Sequence, residues 1–229
     1  MVEGLGRDYG GSVALASLDL SIRPGTAVAL IGRNGSGKTT ALTMMAGRLE
    51  PTRGKVVIGG VDVHTRGGSE AVRSLVSFVP DAPALYPDLT VIDHLDLVGM
   101  AHGVDDLDDK IDGLLERFGL EDKDDLLPRE LSRGMRQKAQ LSCALLRPFG
   151  VLMLDEPVGG LDPGSRNALR DLLVEAKDEG AVVIFSTHYF AFAEDLADRV
   201  LVLSDGEVAV DGSYREVVAS GKVKELGLE

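Results

Sequence analysis

Residues Gly32-Arg33-Asn34-Gly35-Ser36-Gly37-Lys38-Thr39 carry the spacing G-x-x-x-x-G-K-[ST], directly after the apolar run 27–31. That pattern suits the grip of a polyphosphate. A loop between a buried strand and a helix aims successive backbone N–H groups at an anion, and the helix N-terminus adds partial positive charge. Glycines let the backbone come close and take positive φ. Lys38 would reach the β- and γ-phosphates of a nucleotide, and the Thr39 hydroxyl would ligate Mg²⁺. Arg33, Asn34, Ser36 and Thr40 complete the candidate nucleotide-contacting set.

Three further groups could act on the same phosphates. The apolar run 151–154 ends in Asp155-Glu156. Ligands of open parallel sheets bind outside the carboxyl ends of the strands. Asp155 is thus placed to hold Mg²⁺, and Glu156 to polarise a water aimed at the γ-phosphate. Ser186-Thr187-His188 closes another apolar run, where an imidazole could donate to a γ-phosphate oxygen. Leu131-Ser132-Arg133-Gly134-Met135-Arg136-Gln137 opens a helix, with Ser132 as N-cap and Gly134 exposing N–H groups in the first turn. Simple capping and a second anion contact are equal explanations of that stretch by local chemistry.

The elements that must position these groups alternate. Strands are expected at 26–31, 55–58, 75–79, 151–155, 181–186 and 199–203, several of them continuous Val/Leu/Ile runs typical of strands buried on both faces. Helices are expected at 38–48, 163–177 and 190–197. This alternation implies βαβ units and a mostly parallel sheet. Residues 90–147 break the pattern, with helices at 91–101, 107–118 and 132–146 and no convincing strand. The tail reads as a hairpin strand at 207–210 and a short helix at 214–220.

Composition narrows the function classes. The 229 residues suit one large domain or one and a half, with an ample core. The net charge of −13 opposes sequence-independent binding to nucleic-acid backbones, while a phosphate loop works through local dipoles at contact range. The acidic runs 105–109 and 121–125 are expected to be solvated. A single cysteine, Cys143, permits no internal disulfide and suits a buried, inert thiol. No apolar stretch reaches the roughly 18–20 residues of a membrane-spanning helix, and residues 1–4 lack a signal-peptide layout. Any membrane role is therefore expected through a partner.

Taken together, the motifs resemble one family across nearly the whole chain: the ATP-binding subunits of ABC transporters. Lys38 lies in a Walker A loop, Asp155 and Glu156 in Walker B, 131–137 matches the signature motif, Gly160-Leu161-Asp162 resembles the D-loop, and His188 the switch histidine. Tyr9 stands where the family carries an aromatic that stacks on adenine. The resemblance implies an α/β P-loop NTPase fold of ABC ATPase type. It would have a mostly parallel central sheet, antiparallel N-terminal β elements and an inserted α-helical subdomain. One domain would span 1–229, with 1–89 and 148–229 as its core and 90–147 as the insert. The activity implied is ATP + H₂O → ADP + phosphate. Two such subunits pair head to tail, so that Ser132 and Gly134 would contact the partner's γ-phosphate and Asp162 would run along the interface. The helical insert would couple this motion to a separate integral membrane permease, placing the chain on the cytoplasmic face of the cell membrane.

The chain departs from the family pattern in places. Asp81 replaces the usual glutamine, as a shorter, charged group that could still ligate Mg²⁺ or water. Arg133 and Met135 replace the common Gly and Gln of the signature. The N-terminus starts a few residues late, so a shortened first edge strand is expected. Stretches 85–91 and 132–137 resemble exporter-type subunits, with no added regulatory domain expected after the sheet. The alternatives are a soluble ABC-type ATPase acting on a ribosome or nucleic-acid complex, or a nucleotide-binding module without turnover.

Overall fold

A computed structural model describes residues 1–228 of the chain. Its strands are β1 (Val2–Asp8), β2 (Val13–Leu20), β3 (Ala27–Ile31), β4 (Arg53–Ile58), β5 (Val61–Asp62), β6 (Val76–Val79), β7 (Val151–Leu154), β8 (Val182–Thr187), β9 (Arg199–Ser204) and β10 (Glu207–Gly212). Its α-helices are α1 (Lys38–Met45), α2 (Gly68–Ala71), α3 (Val91–His102), α4 (Leu107–Phe118), α5 (Arg133–Leu146), α6 (Pro163–Asp178), α7 (Tyr214–Ala219) and α8 (Lys222–Glu225).

Two sheets form. The larger runs β10-β9-β3-β8-β7-β6, parallel except for the β9–β10 hairpin. The smaller, β2-β1-β4-β5, is antiparallel. β3 is buried at every position, and because side chains alternate across a strand it feeds two cores. Val28 and Leu30 meet Leu5, Leu15 and Leu18 of the antiparallel sheet and Leu42 and Met45 of α1. Ala27, Ala29 and Ile31 meet the other core, which holds Ile111 and Phe118 of α4, Leu141 of α5 and Leu169 and Leu173 of α6. The central sheet is thus covered on both faces, as a parallel sheet requires.

The chain between β6 and β7 is helical, and local chemistry sets its limits. Thr90 and Asp93 form a reciprocal capping box at the start of α3, with the Asp93 N–H donating to Thr90 Oγ1 (3.2 Å) and the Thr90 N–H to Asp93 Oδ2 (2.9 Å). Gly103 ends α3 and Gly119 ends α4, both at positive φ.

Three sequence expectations need correction. The first strand is neither short nor an edge: β1 has seven residues and lies between β2 and β4. Residues 55–58 belong to β4 in the antiparallel sheet, not to a βαβ unit. The helix expected at 190–197 is a 3₁₀ turn, Phe190–Ala193. There Phe192 packs edge-on to Phe185 (5.5 Å) and Phe190 stacks on Tyr214 (4.6 Å), so aromatic docking overrides the helical pattern.

Candidate functional site

The phosphate loop joins β3 to α1 as its spacing requires. Gly37 precedes α1 at φ 101°, and a Cβ there would lie 2.5 Å from the Ala14 carbonyl oxygen of β2. Gly32 is closed in the same way by the Leu203 carbonyl and the Ser36 hydroxyl. Both glycines are therefore needed for backbone packing as well as for approach to an anion. Gly35, at φ 83°, faces open space. Arg33, Asn34, Gly35 and Thr39 are exposed, and Thr40 is half-buried. Ser36 is buried, and its Oγ has no hydrogen-bond partner among the described residues. A cavity of about 560 Å³ opens here, walled by residues 33–36 on one side and 224–227 on the other. A larger one of about 630 Å³, rimmed by Arg48, Arg73 and Arg147, holds none of the phosphate-loop residues.

Lys38 is buried to 5% exposure with its ammonium inside the loop. Nζ donates to the carbonyls of Gly32 (2.7 Å) and Arg33 (3.2 Å). It also lies 3.3 Å from Glu156 Oε1, close enough for an ion pair but not aligned as a hydrogen bond. The other Glu156 oxygen, Oε2, accepts from the His188 backbone N–H (3.2 Å) and lies 2.8 Å from His188 Nδ1. Glu156 itself sits at φ 47°, a region an L-residue rarely adopts and one that clusters at functional sites. Lysine, glutamate and histidine from three separate segments thus converge on one point.

Asp155 ends β7 against β6, with its N–H donating to the Val79 carbonyl (2.8 Å). Its carboxyl is 1% exposed. Burial pushes its pKa above the usual carboxylate range; the Ser186 and Thr39 hydroxyls partly offset this, and the nearby charges of Glu156 and Asp81 add to it. Asp81 lies exposed just past β6, and its charge is among those that raise the Asp155 pKa.

The structure adds residues that the sequence did not single out. Ser186 donates to Asp155 Oδ1 (2.5 Å) and accepts from the Glu156 N–H (2.9 Å), so one hydroxyl braces both carboxylate residues. Buried Gln140 of α5 clasps the loop carrying Asp81, accepting from the Ala84 N–H (2.6 Å) and donating to the Pro80 carbonyl (3.0 Å). A polar residue on the inward face of α5 was the available signal.

Ser132 caps α5 as expected, accepting from the Met135 N–H (3.2 Å). A Cβ on Gly134 would lie 2.5 Å from the Gly160 carbonyl oxygen, so the start of α5 packs directly on the 160–162 loop. Asp162 caps α6 through the Ser165 N–H (2.9 Å) and pairs with Lys138 of α5 (2.8 Å). The Lys138 and Ser165 donors hold its carboxyl well below the usual range. Tyr9 follows β1, half-exposed, with the Arg7 guanidinium 4.5 Å above its ring. Burial pushes the Cys143 thiol up to about 12, in line with an inert role.

Comparison with known proteins agrees with this geometry. The family described as "ABC transporter" matches residues 15–159. The chain is 34% identical over 230 residues to the ABC-type transporter ATP-binding protein EcsA of Bacillus subtilis, covering 100% of this chain and 92% of that one. It is 34% identical over 212 residues to the SkfA peptide export ATP-binding protein SkfE of Bacillus subtilis, covering 92% and 87%. It is 36% identical over 214 residues to the Fe(3+) ions import ATP-binding protein FbpC of Rhizobium etli, covering 92% of this chain and 60% of that longer protein. A solved structure of an ATP-binding subunit of an ABC transporter superposes with a TM-score of 0.86 at 34% identity, over 99% of this chain and 92% of the other. Matched by the family profile over more than half its length, and by a relative of nearly its own size, the chain belongs to the ABC transporter family, among the ATP-binding subunits.

Proposed function

We propose that the chain binds and hydrolyses ATP and, paired head to tail with a second such subunit, drives a separate membrane permease. One observation carries the proposal: Lys38 and His188 hold the two oxygens of Glu156 at the mouth of the phosphate loop, at 3.3 and 2.8 Å. A γ-phosphate entering the loop takes the Lys38 ammonium, and Glu156 is released to accept a proton from the attacking water. His188 then orients Glu156 through its backbone N–H, freeing its one ring N–H to donate to a γ-phosphate oxygen. The orphaned Ser36 hydroxyl and the glycine-lined loop fit a phosphate chain. Tyr9 supplies the face for the base, a stack worth about 1–3 kcal/mol.

Thr39, Asp155 and Asp81 would hold Mg²⁺, which supplies charge neutralisation at the β- and γ-phosphates. One buried carboxylate with a hydroxyl beside it suits an ion that keeps several waters and takes its remaining ligands from phosphate. Among the described residues no cluster of three His, Cys, Asp or Glu side chains could hold a metal by itself.

Ser132 and Gly134 cap the partner subunit's nucleotide, with Asp162 at the interface. The helical insert 90–147 turns against the core 1–89 and 148–229 and passes that motion to the permease. No helix among the described residues is long and apolar enough to cross a membrane. A place at the cytoplasmic face of the cell membrane, reached through the permease, follows from the family's assembly. Export is favoured by the resemblance of 85–91 and 132–137 to exporter-type subunits and by the name of SkfE, although FbpC is named for import.

The test is affinity purification from the native membrane, with ATPase activity measured on the product. Recovery of a polytopic membrane protein together with turnover supports the proposal. Recovery of ribosomes or nucleic acid contradicts it in favour of the soluble alternative, and nucleotide binding without turnover favours a non-hydrolysing module.

A further inference from the structure

We infer that Arg7 is a positioning residue for the nucleobase, acting through Tyr9. The inference rests on the reading of Tyr9 as the base platform. Arg7 lies on β1 and Tyr9 two residues on, at the start of the tight turn into β2. The guanidinium carbon stands 4.5 Å from the Tyr9 ring centroid, within cation–π range. The guanidinium is fixed independently of the ring, because its Nη1 donates to the carbonyl of Glu50, in the connection between α1 and β4 (2.9 Å). Its Nε is buried and has no hydrogen-bond partner among the described residues. That arrangement spends a donor, so the aromatic face is what the guanidinium meets in return.

The turn is braced by its own hydrogen bonds and leads into the strand that packs on the phosphate loop. The Tyr9 N–H donates to the Ser12 carbonyl (2.9 Å), and the Gly11 N–H to Asp8 Oδ1 (2.6 Å). Asp8 is tied by its own N–H to Thr52 Oγ1 (3.1 Å). β2 then brings the Ala14 carbonyl against Gly37. The Tyr9 backbone is therefore set relative to the loop, and only the swing of the ring about its side-chain bonds remains free. At 50% exposure that ring would sample several orientations. Arg7 covers one face and removes that freedom before the nucleotide arrives, leaving the opposite face for the base. Pre-organisation of this kind strengthens binding by reducing the ordering required in the complex.

The experiment measures the Kd of ADP and of inorganic tripolyphosphate by calorimetry on the full chain, for Arg7→Ala, Tyr9→Ala and the double variant. Tripolyphosphate reads the phosphate loop without a base. The expected result is an ADP Kd raised about threefold in Arg7→Ala, from a cation–π contact of that strength. A larger rise in Tyr9→Ala, no further rise in the double variant and unchanged tripolyphosphate binding complete the pattern. Arg7→Lys should recover part of the loss, and Arg7→Gln gives the same comparison should Arg7→Ala lose structure. Equal weakening of tripolyphosphate, or effects that add in the double variant, would overturn the inference by making Arg7 a general electrostatic or structural residue. An unaffected Arg7→Ala beside a weakened Tyr9→Ala would overturn it while sparing the base platform. An unaffected Tyr9→Ala would remove the platform itself.

Discussion

At the scale of single residues, the site is a set of charges already committed to one another. Lys38 is held by two carbonyls and one carboxylate, none of which is a phosphate. Replacing Lys38 by Ala removes the cation that a γ-phosphate would take over. Charge-assisted bonds are worth about 1.5–3 kcal/mol, so the ATP Kd should rise about 10- to 100-fold in a calorimetric titration. Unchanged affinity would show that the nucleotide lies elsewhere. Ser186 has a different part, because it touches no ligand in this account. Ser186→Ala leaves the buried Asp155 carboxylate and the Glu156 N–H each short of a partner. Urea denaturation should show a loss of about 1–3 kcal/mol. The Asp155 pKa should move further up, since an opposing donor is gone while burial remains. A variant as stable as the parent would mean that water replaces the hydroxyl.

At the scale of elements, the start of α5 bears on the 160–162 loop through Gly134, with Lys138 and Asp162 bridging one turn further on. Gly134→Ala drives a methyl group toward a backbone carbonyl that has little room to move. Overpacking of this kind costs about 1–3 kcal/mol, read as a lower denaturation midpoint. The same variant should bind ADP normally, because Gly134 lies outside its own subunit's phosphate loop; weakened ADP binding would contradict that placement. The elements differed in how plainly the sequence announced them. β3, β7, β8 and β9 were legible because burial on both faces leaves continuous apolar runs. β2 was not, since its pairing with β1 shifts register repeatedly and the inward residues Leu15, Leu18 and Leu20 do not alternate strictly. The 190–193 turn was misjudged because its apolar residues are spent on Phe185 and Tyr214 rather than on a helix face. Of the site, the ligand-facing groups were legible from motif spacing. The bracing groups, Ser186 and Gln140, were not, because their partners are 31 and 56 residues away in sequence.

At the scale of the whole molecule, the phosphate loop and the start of α5 lie on different parts of the chain, and in the proposed head-to-tail pair a second subunit would bring one onto the other. Glu156→Gln should keep nucleotide binding while slowing hydrolysis by about 10²–10⁴, the usual loss of a general base. The ATP-bound pair should then persist, so that light scattering with ATP reads twice the 24.3 kDa of one chain, and with ADP the single mass. Full turnover in this variant would take the base role from Glu156.

The most direct measurement is a crystal structure of the chain with a non-hydrolysable ATP analogue and Mg²⁺. The expected result is the β- and γ-phosphates within the 32–39 loop, Lys38 drawn from Glu156 onto the γ-phosphate, and the adenine on the open face of Tyr9. An analogue bound away from this loop, with the Lys38–Glu156 pair intact, would contradict it.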